Sequence, residues 1–247
     1  MLDGTLILVG AVFALAGFVK GLVGLGLPTI AIGLLAIVMP PVKAAAILIG
    51  PSLVTNIWQL VAGPSLTPIV RRLWPMMLGV CAGTWAGMGL MTGTAGHYGE
   101  AFLGVALMLY ALTGLASFRF SIAPRHEVWL APLTGIATGL ITAVTGVFVI
   151  PAVPYLQAIG MEKEELVQAL GLSFTVSTLA LAVNLAAAGA LNISMAATTL
   201  AALVLACAGM WAGQALRLRL EPATFRRWFF AGLAVLGAYL TLRASLS

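Results

Sequence analysis

Apolar residues fill this chain in long blocks separated by short charged loops, and no block shows the ten-residue alternation of a membrane β-barrel. Blocks at Ala44–Ala62, Leu73–Met91, Tyr98–Ser117, Leu166–Gly189, Ile193–Leu216 and Trp228–Leu242 each predict one helix, since about 20 apolar residues cross a bilayer core. Two further blocks are different. Gly4–Met39 and Val128–Gly160 are too long for one span and short for two, and Gly and polar residues interrupt each. They predict broken-helix hairpins, in which backbone leaves helical geometry inside the membrane and re-enters it.

Composition makes the membrane assignment firm. Hydrophobic residues are 62% of the 247 and charged residues only 8%, with a mean hydropathy of +1.11, values outside the range of soluble domains. The expected class is an all-α integral membrane protein. No signal peptide is expected, because the first apolar run follows Asp3 without the basic residues of an n-region. The net charge of +5 sits in a few loops, which reads as membrane orientation and gives no reason to expect nucleic acid. Cys81 and Cys207 lie inside apolar helices without His or carboxylate nearby, so they read as small buried hydrophobes, and neither a metal nor another cofactor is implied.

The chain repeats itself. Cys81-Ala-Gly-Thr-Trp-Ala-Gly87 returns 126 residues later as Cys207-Ala-Gly-Met-Trp-Ala-Gly213. The hairpins align at a shift of 122: Gly17 on Gly139, Gly24 on Gly146, Leu34 on Leu156, Ile37 on Ile159 and Met39 on Met161. Counted as ten elements, the chain places Lys20, Arg71, Arg72, Arg119, Arg125, Lys163, Arg217, Arg219, Arg226 and Arg227 in the cytoplasm, leaving only Lys43 and Arg243 outside. Counted as eight spans it has no such bias, so ten elements are preferred, of which eight can be full spans. Five elements per half invert the second half relative to the first. The expectation is a 5+5 inverted repeat, residues 1–124 and 125–247, joined at the linker Phe118–Glu127.

Within that frame the paired motif reads as packing: Gly79, Gly83 and Gly87, and Gly209 and Gly213, recur every four residues on one helix face. Trp85 and Trp211 are expected to fill the space beside them. The candidate site falls at the hairpins instead, because interrupted segments in matching places of two halves point to a transporter's substrate. The first offers Lys20, Gly21, Gly24, Gly26 and Pro28; the second offers Thr142, Thr145, Gly146 and Pro151. Backbone N–H groups at the restart of a broken helix attract anions. Lys20 adds a full charge there, unless it lies at the helix end and snorkels to the interface. Ser52 with Ser173, and Asn56 with Ser177, are symmetry mates on the following helices and complete the set; Thr55, Gln59, Gln168, Thr175, Thr178 and Asn184 are further polar residues there.

At these residues the chain resembles the sulfite exporter TauE/SafE family. The likeness rests on Gly21 to Pro28 followed by Met39-Pro40-Pro41 and a helix with Ser52, and on the weaker copy Thr145 to Pro154 leading to Ser173. Family members typically carry a Gly-x-Gly-Gly-Gly run; here Gly26 is followed by Leu27 and Pro28, and Gly146 by Val147, Phe148 and Val149. The resemblance implies a multi-pass protein of a bacterial cytoplasmic (inner) membrane that carries sulfite, an organosulfonate or a related sulfur-containing or carboxylate anion. Its partners are then a small anion and the bilayer, with a homo-oligomer left open. Alternating access is the leading expectation and an anion channel the alternative. An enzyme is not expected, since His97, Glu100 and His126 lie in separate loops. All seven carboxylates lie in or beside loops, so the sequence names no coupling ion.

Overall fold

The computed structural model describes residues 2–64, 66–93, 98–116, 121–217 and 222–246. His97, Arg119, Arg219, Glu221 and residues 118–120 of the linker lie outside them. The described residues form ten α-helices and no strand: α1 (Leu2–Val23), α2 (Leu27–Leu35), α3 (Pro41–Val61), α4 (Leu66–Ala86), α5 (Gly99–Ala116), α6 (Pro124–Thr145), α7 (Ala152–Ala158), α8 (Lys163–Ala187), α9 (Ala196–Leu216) and α10 (Pro222–Leu246). All but α2, α4 and α7 are long and apolar enough to cross a membrane.

Local chemistry sets the ends of these helices. α1 stops at Val23 because Gly24 and Gly26 take φ of +80° and +110°, a left-handed backbone that side chains resist. Pro28 and Pro41 sit in the first turns of α2 and α3, where a missing N–H costs nothing. α8 opens on a capping box between Glu162 and Glu165. Two sequence-based boundaries move. α4 begins at Leu66, well before Leu73, so Arg71 and Arg72 are helical; α10 extends from Pro222 to Leu246, beyond Trp228–Leu242. Charged residues at a membrane surface continue a helix as readily as they end one, and hydropathy cannot see that.

Four tight helix pairs build the bundle: α1 on α9, α4 on α6, α5 on α10 and α3 on α8. The glycine motif holds the first two. A Cβ on Gly209 would lie 2.1 Å from the carbonyl oxygen of Ala14, and one on Gly213 2.1 Å from that of Phe18. On α4, the same addition at Gly83 would meet Ile136 O at 2.2 Å, and from the other side Gly139 would meet Val80 O at 2.3 Å. Only glycine permits such backbone contact, which is how helices gain packing where lipid removes the hydrophobic drive. Both pairs run parallel, as the rising register shows, whereas α3 with α8 and α5 with α10 run antiparallel.

The tryptophans and cysteines of the motif correct the sequence reading. Trp85 and Trp211 are 73% and 74% exposed and point away from the glycines, while Cys81 is exposed and Cys207 half-buried. A membrane helix is apolar on its lipid face too, so hydrophobicity does not say which residues pack inward.

Two arginines fasten the short helices at their C-terminal sides. Arg72 makes two hydrogen bonds to Glu127, at 2.6 and 2.9 Å, and donates to Ile159 O at 2.7 Å. Its pKa rises above the ordinary value, chiefly through the Glu127 hydrogen bond, against some desolvation. Arg243 donates to Ile37 O at 2.8 Å and approaches Glu100 at 3.5 Å. Ile37 and Ile159 are the aligned residues of the two hairpin segments.

Candidate functional site

Where α1 ends, a cavity of ≈ 180 Å³ opens between α1, α3, α8 and α9. Lys20, Gly21 and Gly24 line it from the first chain break, Trp58 and Gln59 from α3, Lys163 and Glu164 from the start of α8, and Arg217 from the end of α9. Three cations face one carboxylate. Among the described residues neither Lys163 nor Arg217 forms an ion pair, the salt bridges there being Arg72–Glu127 and Arg243–Glu100. With no paired carboxylate to neutralise them, these charges favour an anion.

Lys20 does not snorkel. It is 3% exposed, and its ammonium donates to Thr55 Oγ1 at 3.0 Å and to Asn56 Oδ1. A charge held within a bilayer costs about 2.5–3.5 kcal/mol on insertion scales, so partners of this kind are what the position requires. Both are neutral, so among the described residues no carboxylate is bonded to Lys20. Asn56 Nδ2 in turn donates to Ser52 Oγ at 3.0 Å and reaches Thr178 Oγ1 at 3.4 Å, and the Ser52 and Thr178 hydroxyls lie 3.0 Å apart. Gln59 Nε2 bridges Gly24 O at 3.0 Å and Val167 O at 2.8 Å, tying the break in the α1–α2 segment to α8.

The other residues singled out in the sequence lie apart from the cavity. Gly26 packs towards Val19 and Phe229, and Pro28 is buried in α2. Thr142 and Thr145 donate to the carbonyls of Thr138 and Ile141 in their own helix, each at 2.7 Å. Gly146 takes a φ of +74°, and a Cβ there would meet Ile32 Cδ1 at 2.7 Å and Ala45 Cβ at 3.2 Å. Pro151 precedes α7 at the end of a non-helical, buried stretch. Ser173 and Ser177 are fully buried, and neither hydroxyl has a hydrogen-bond partner among the described residues.

Sequence reasoning missed Lys163 and Arg217 as lining residues and used them only for orientation. Arg217 arrives there because α9 runs parallel to α1, so that their ends stand together, and Lys163 because α8 runs antiparallel to α3, so that its start stands beside the end of α3. Of the groups considered for an enzyme, Glu100 engages Arg243 and His126 packs on Trp129, their ring centroids 6.1 Å apart, at separate places.

A family model described as sulfite exporter TauE/SafE matches residues 9–240, nearly the whole chain. The chain belongs to the TauE/SafE family. It is therefore a multi-pass membrane protein of an anion-transporter family, and its many exposed apolar side chains are those expected against lipid. No curated protein and no solved structure is matched by the chain. Its departures from the TauE/SafE glycine run have a use in the interior. Val147, Phe148 and Val149 are fully buried, and Phe148 packs on Phe174 of α8 with ring centroids 5.3 Å apart.

Proposed function

We propose that this TauE/SafE protein carries a small oxyanion, sulfite or an organosulfonate, across the cytoplasmic membrane by alternating access, with the anion entering the cavity beside Lys20. The observation that carries the reading is the excess of cations around a small, partly enclosed volume. Low-dielectric surroundings strengthen such attraction well beyond its value in water, and Lys20 holds its charge ready on neutral partners. Lys163 and Arg217 attract the anion to the mouth; Gly24 lets it approach backbone, whereas the bare face of Gly21 packs on α9, where a Cβ would lie 2.2 Å from Met210 O. The distribution of basic residues orients this mouth towards the cytoplasm.

The halves 1–124 and 125–247 form the inverted repeat in this reading. Its support is the pattern of helix pairs: moving five elements along turns α1–α9 into α6–α4, and leaves α3–α8 and α5–α10 paired as before. The parallel and antiparallel senses agree with two halves of opposite orientation. The arginines on Ile37 O and Ile159 O then sit at opposite membrane surfaces. With the cavity open at Gly24 and Gly146 closed by Ile32 and Ala45, the conformation corresponds to access from one side. In the other state, Thr142, Thr145, Ser173 and Ser177 would line the opening around Gly146 and Pro151, and Ser52 and Asn56 would close with their helix. This one-sided access favours a transporter over a channel, whose pore must run continuously.

Purified protein in liposomes, screened with sulfite, sulfonates, thiosulfate and small carboxylates under separately varied proton and sodium gradients, tests this reading. Saturable counterflow of at least one sulfur oxyanion is expected. Large single-channel currents would replace the transporter with a channel, and absence of any substrate-dependent flux across the panel would remove the proposal.

A further inference from the structure

The Lys20 ammonium has three N–H groups, of which two reach Thr55 Oγ1 and Asn56 Oδ1 and the third is left for a ligand in the cavity. An ammonium only donates, so it must face Asn56 through Oδ1, which turns the Asn56 amide nitrogen towards Ser52 and Thr178. Asn56 is 1% exposed and Ser52 fully buried, so these groups depend on one another rather than on bulk solvent. The result is a continuous chain of hydrogen bonds from the cavity, through Lys20, Asn56 and Ser52, to Thr178 of α8. It crosses the α3–α8 contact, one of the four helix pairs that join residues 1–124 to 125–247.

An anion entering the cavity offers Lys20 a charged acceptor, and a hydrogen bond between ions is about twice as strong as one to a neutral group. Drawn towards the anion, the ammonium gives up its bonds to Asn56 Oδ1 and Thr55 Oγ1. A buried carbonyl without a partner is unfavourable, so the amide must reorient and disturb its bonds to Ser52 and Thr178. We propose that Asn56 is a positioning residue that holds the Lys20 ammonium while the cavity is empty, yields it to the anion, and relays occupancy to α8 through Ser52 and Thr178. This rests on the anion-binding reading of the cavity.

The test measures binding of sulfite and methanesulfonate to the full-length protein in nanodiscs, together with counterflow in liposomes. Asn56→Asp places a competing carboxylate on Lys20 and should raise Kd at least tenfold. Asn56→Ala removes the competitor: Kd should fall two- to fivefold while exchange slows at least tenfold. Ser52→Ala keeps the Lys20–Asn56 bond, so Kd should stay within twofold of wild type while exchange slows several-fold. A residue serving only the fold would lower the yield of folded protein without moving Kd in opposite directions. Equal Kd shifts in Asn56→Asp and Asn56→Ala, or wild-type exchange in Asn56→Ala, would overturn the relay. Should Asn56→Asp fail to fold by size exclusion, the Asn56→Ala and Ser52→Ala pair decides alone. If the wild type binds neither probe, the anion reading fails and takes the relay with it; if it binds and the variants do not separate, the relay alone fails.

Discussion

The two breaks in the chain, after α1 and after α6, begin alike and finish differently. At the first, Gly24 has room around it: the nearest atoms to a Cβ there, in Gln59 and Val167, are 3.8 Å away. At the second, Gly146 is pressed by Ile32 and Ala45, and Val147 to Val149 extend the interior packing. Lys20 lines a cavity from the first segment and bonds to Thr55 and Asn56 of another helix, whereas Thr142, aligned with it in the sequence, bonds back to Thr138. Ser52 and Asn56 are bonded together beside the first break; their counterparts Ser173 and Ser177 are buried with idle hydroxyls. An open, charged place thus follows the first break and a closed, neutral one the second. The lesson is that a shared backbone device does not impose a shared chemistry. The side chains around each glycine decide whether the bend serves a ligand or the core.

The sharpest way to break the comparison is to remove its charge. Lys20→Gln should weaken sulfite binding by about 2–4 kcal/mol, roughly 30- to 1,000-fold, because a buried charge loses its partner. Thr142→Val should leave binding from the cytoplasmic side unchanged. Titration calorimetry on both variants checks this, and equal losses would erase the distinction between the two breaks.

Next in size are the glycine contacts. Gly209→Val and Gly83→Val each force a side chain into a backbone carbonyl, and each should cost about 1–3 kcal/mol of stability, as overpacking does. Thermal melts in one detergent should show similar losses. Anion binding should suffer more in Gly209→Val, which displaces the helix that carries Lys20.

A smaller effect is expected at the cavity mouth. Lys163→Gln and Arg217→Gln should each raise KM by about two- to fivefold, matching the roughly 0.5–1 kcal/mol of a partly solvated charge, with little change in maximal rate. The effect should shrink in high salt, where the Debye length falls to about 3 Å. A salt-independent change would instead place these residues in direct, desolvated contact.

The smallest change concerns stability in the closed half. Ser177→Ala removes a buried hydroxyl without a partner, so the melting temperature should stay constant or rise slightly, while counterflow falls. A clear loss of stability would show that the hydroxyl is satisfied in the folded protein.

Much of this was legible in advance. The glycines at 24, 26 and 146, with the prolines that follow, marked where helices stop. Lys20 stood out because a charge there needs a reason, and Ser52 and Asn56 stood out because they align with Ser173 and Ser177 in the other half of the sequence. The surroundings were harder. Trp85 and Trp211 were expected beside the glycines and face outward instead. Lys163 and Arg217 counted as loop charges, and nothing in their own segments links them to Lys20.

The sequence by itself determined that this is a helical membrane protein, where its helices are interrupted, and which buried charge demanded partners. Each follows from the bilayer's demand for long apolar segments and satisfied backbone, a demand local to each segment. Only the tertiary structure decided which faces turn inward, which break holds a cavity, and which cations gather there. Those outcomes depend on glycine-mediated contacts between helices distant in sequence, and on apolar faces that look alike whether they meet lipid or protein.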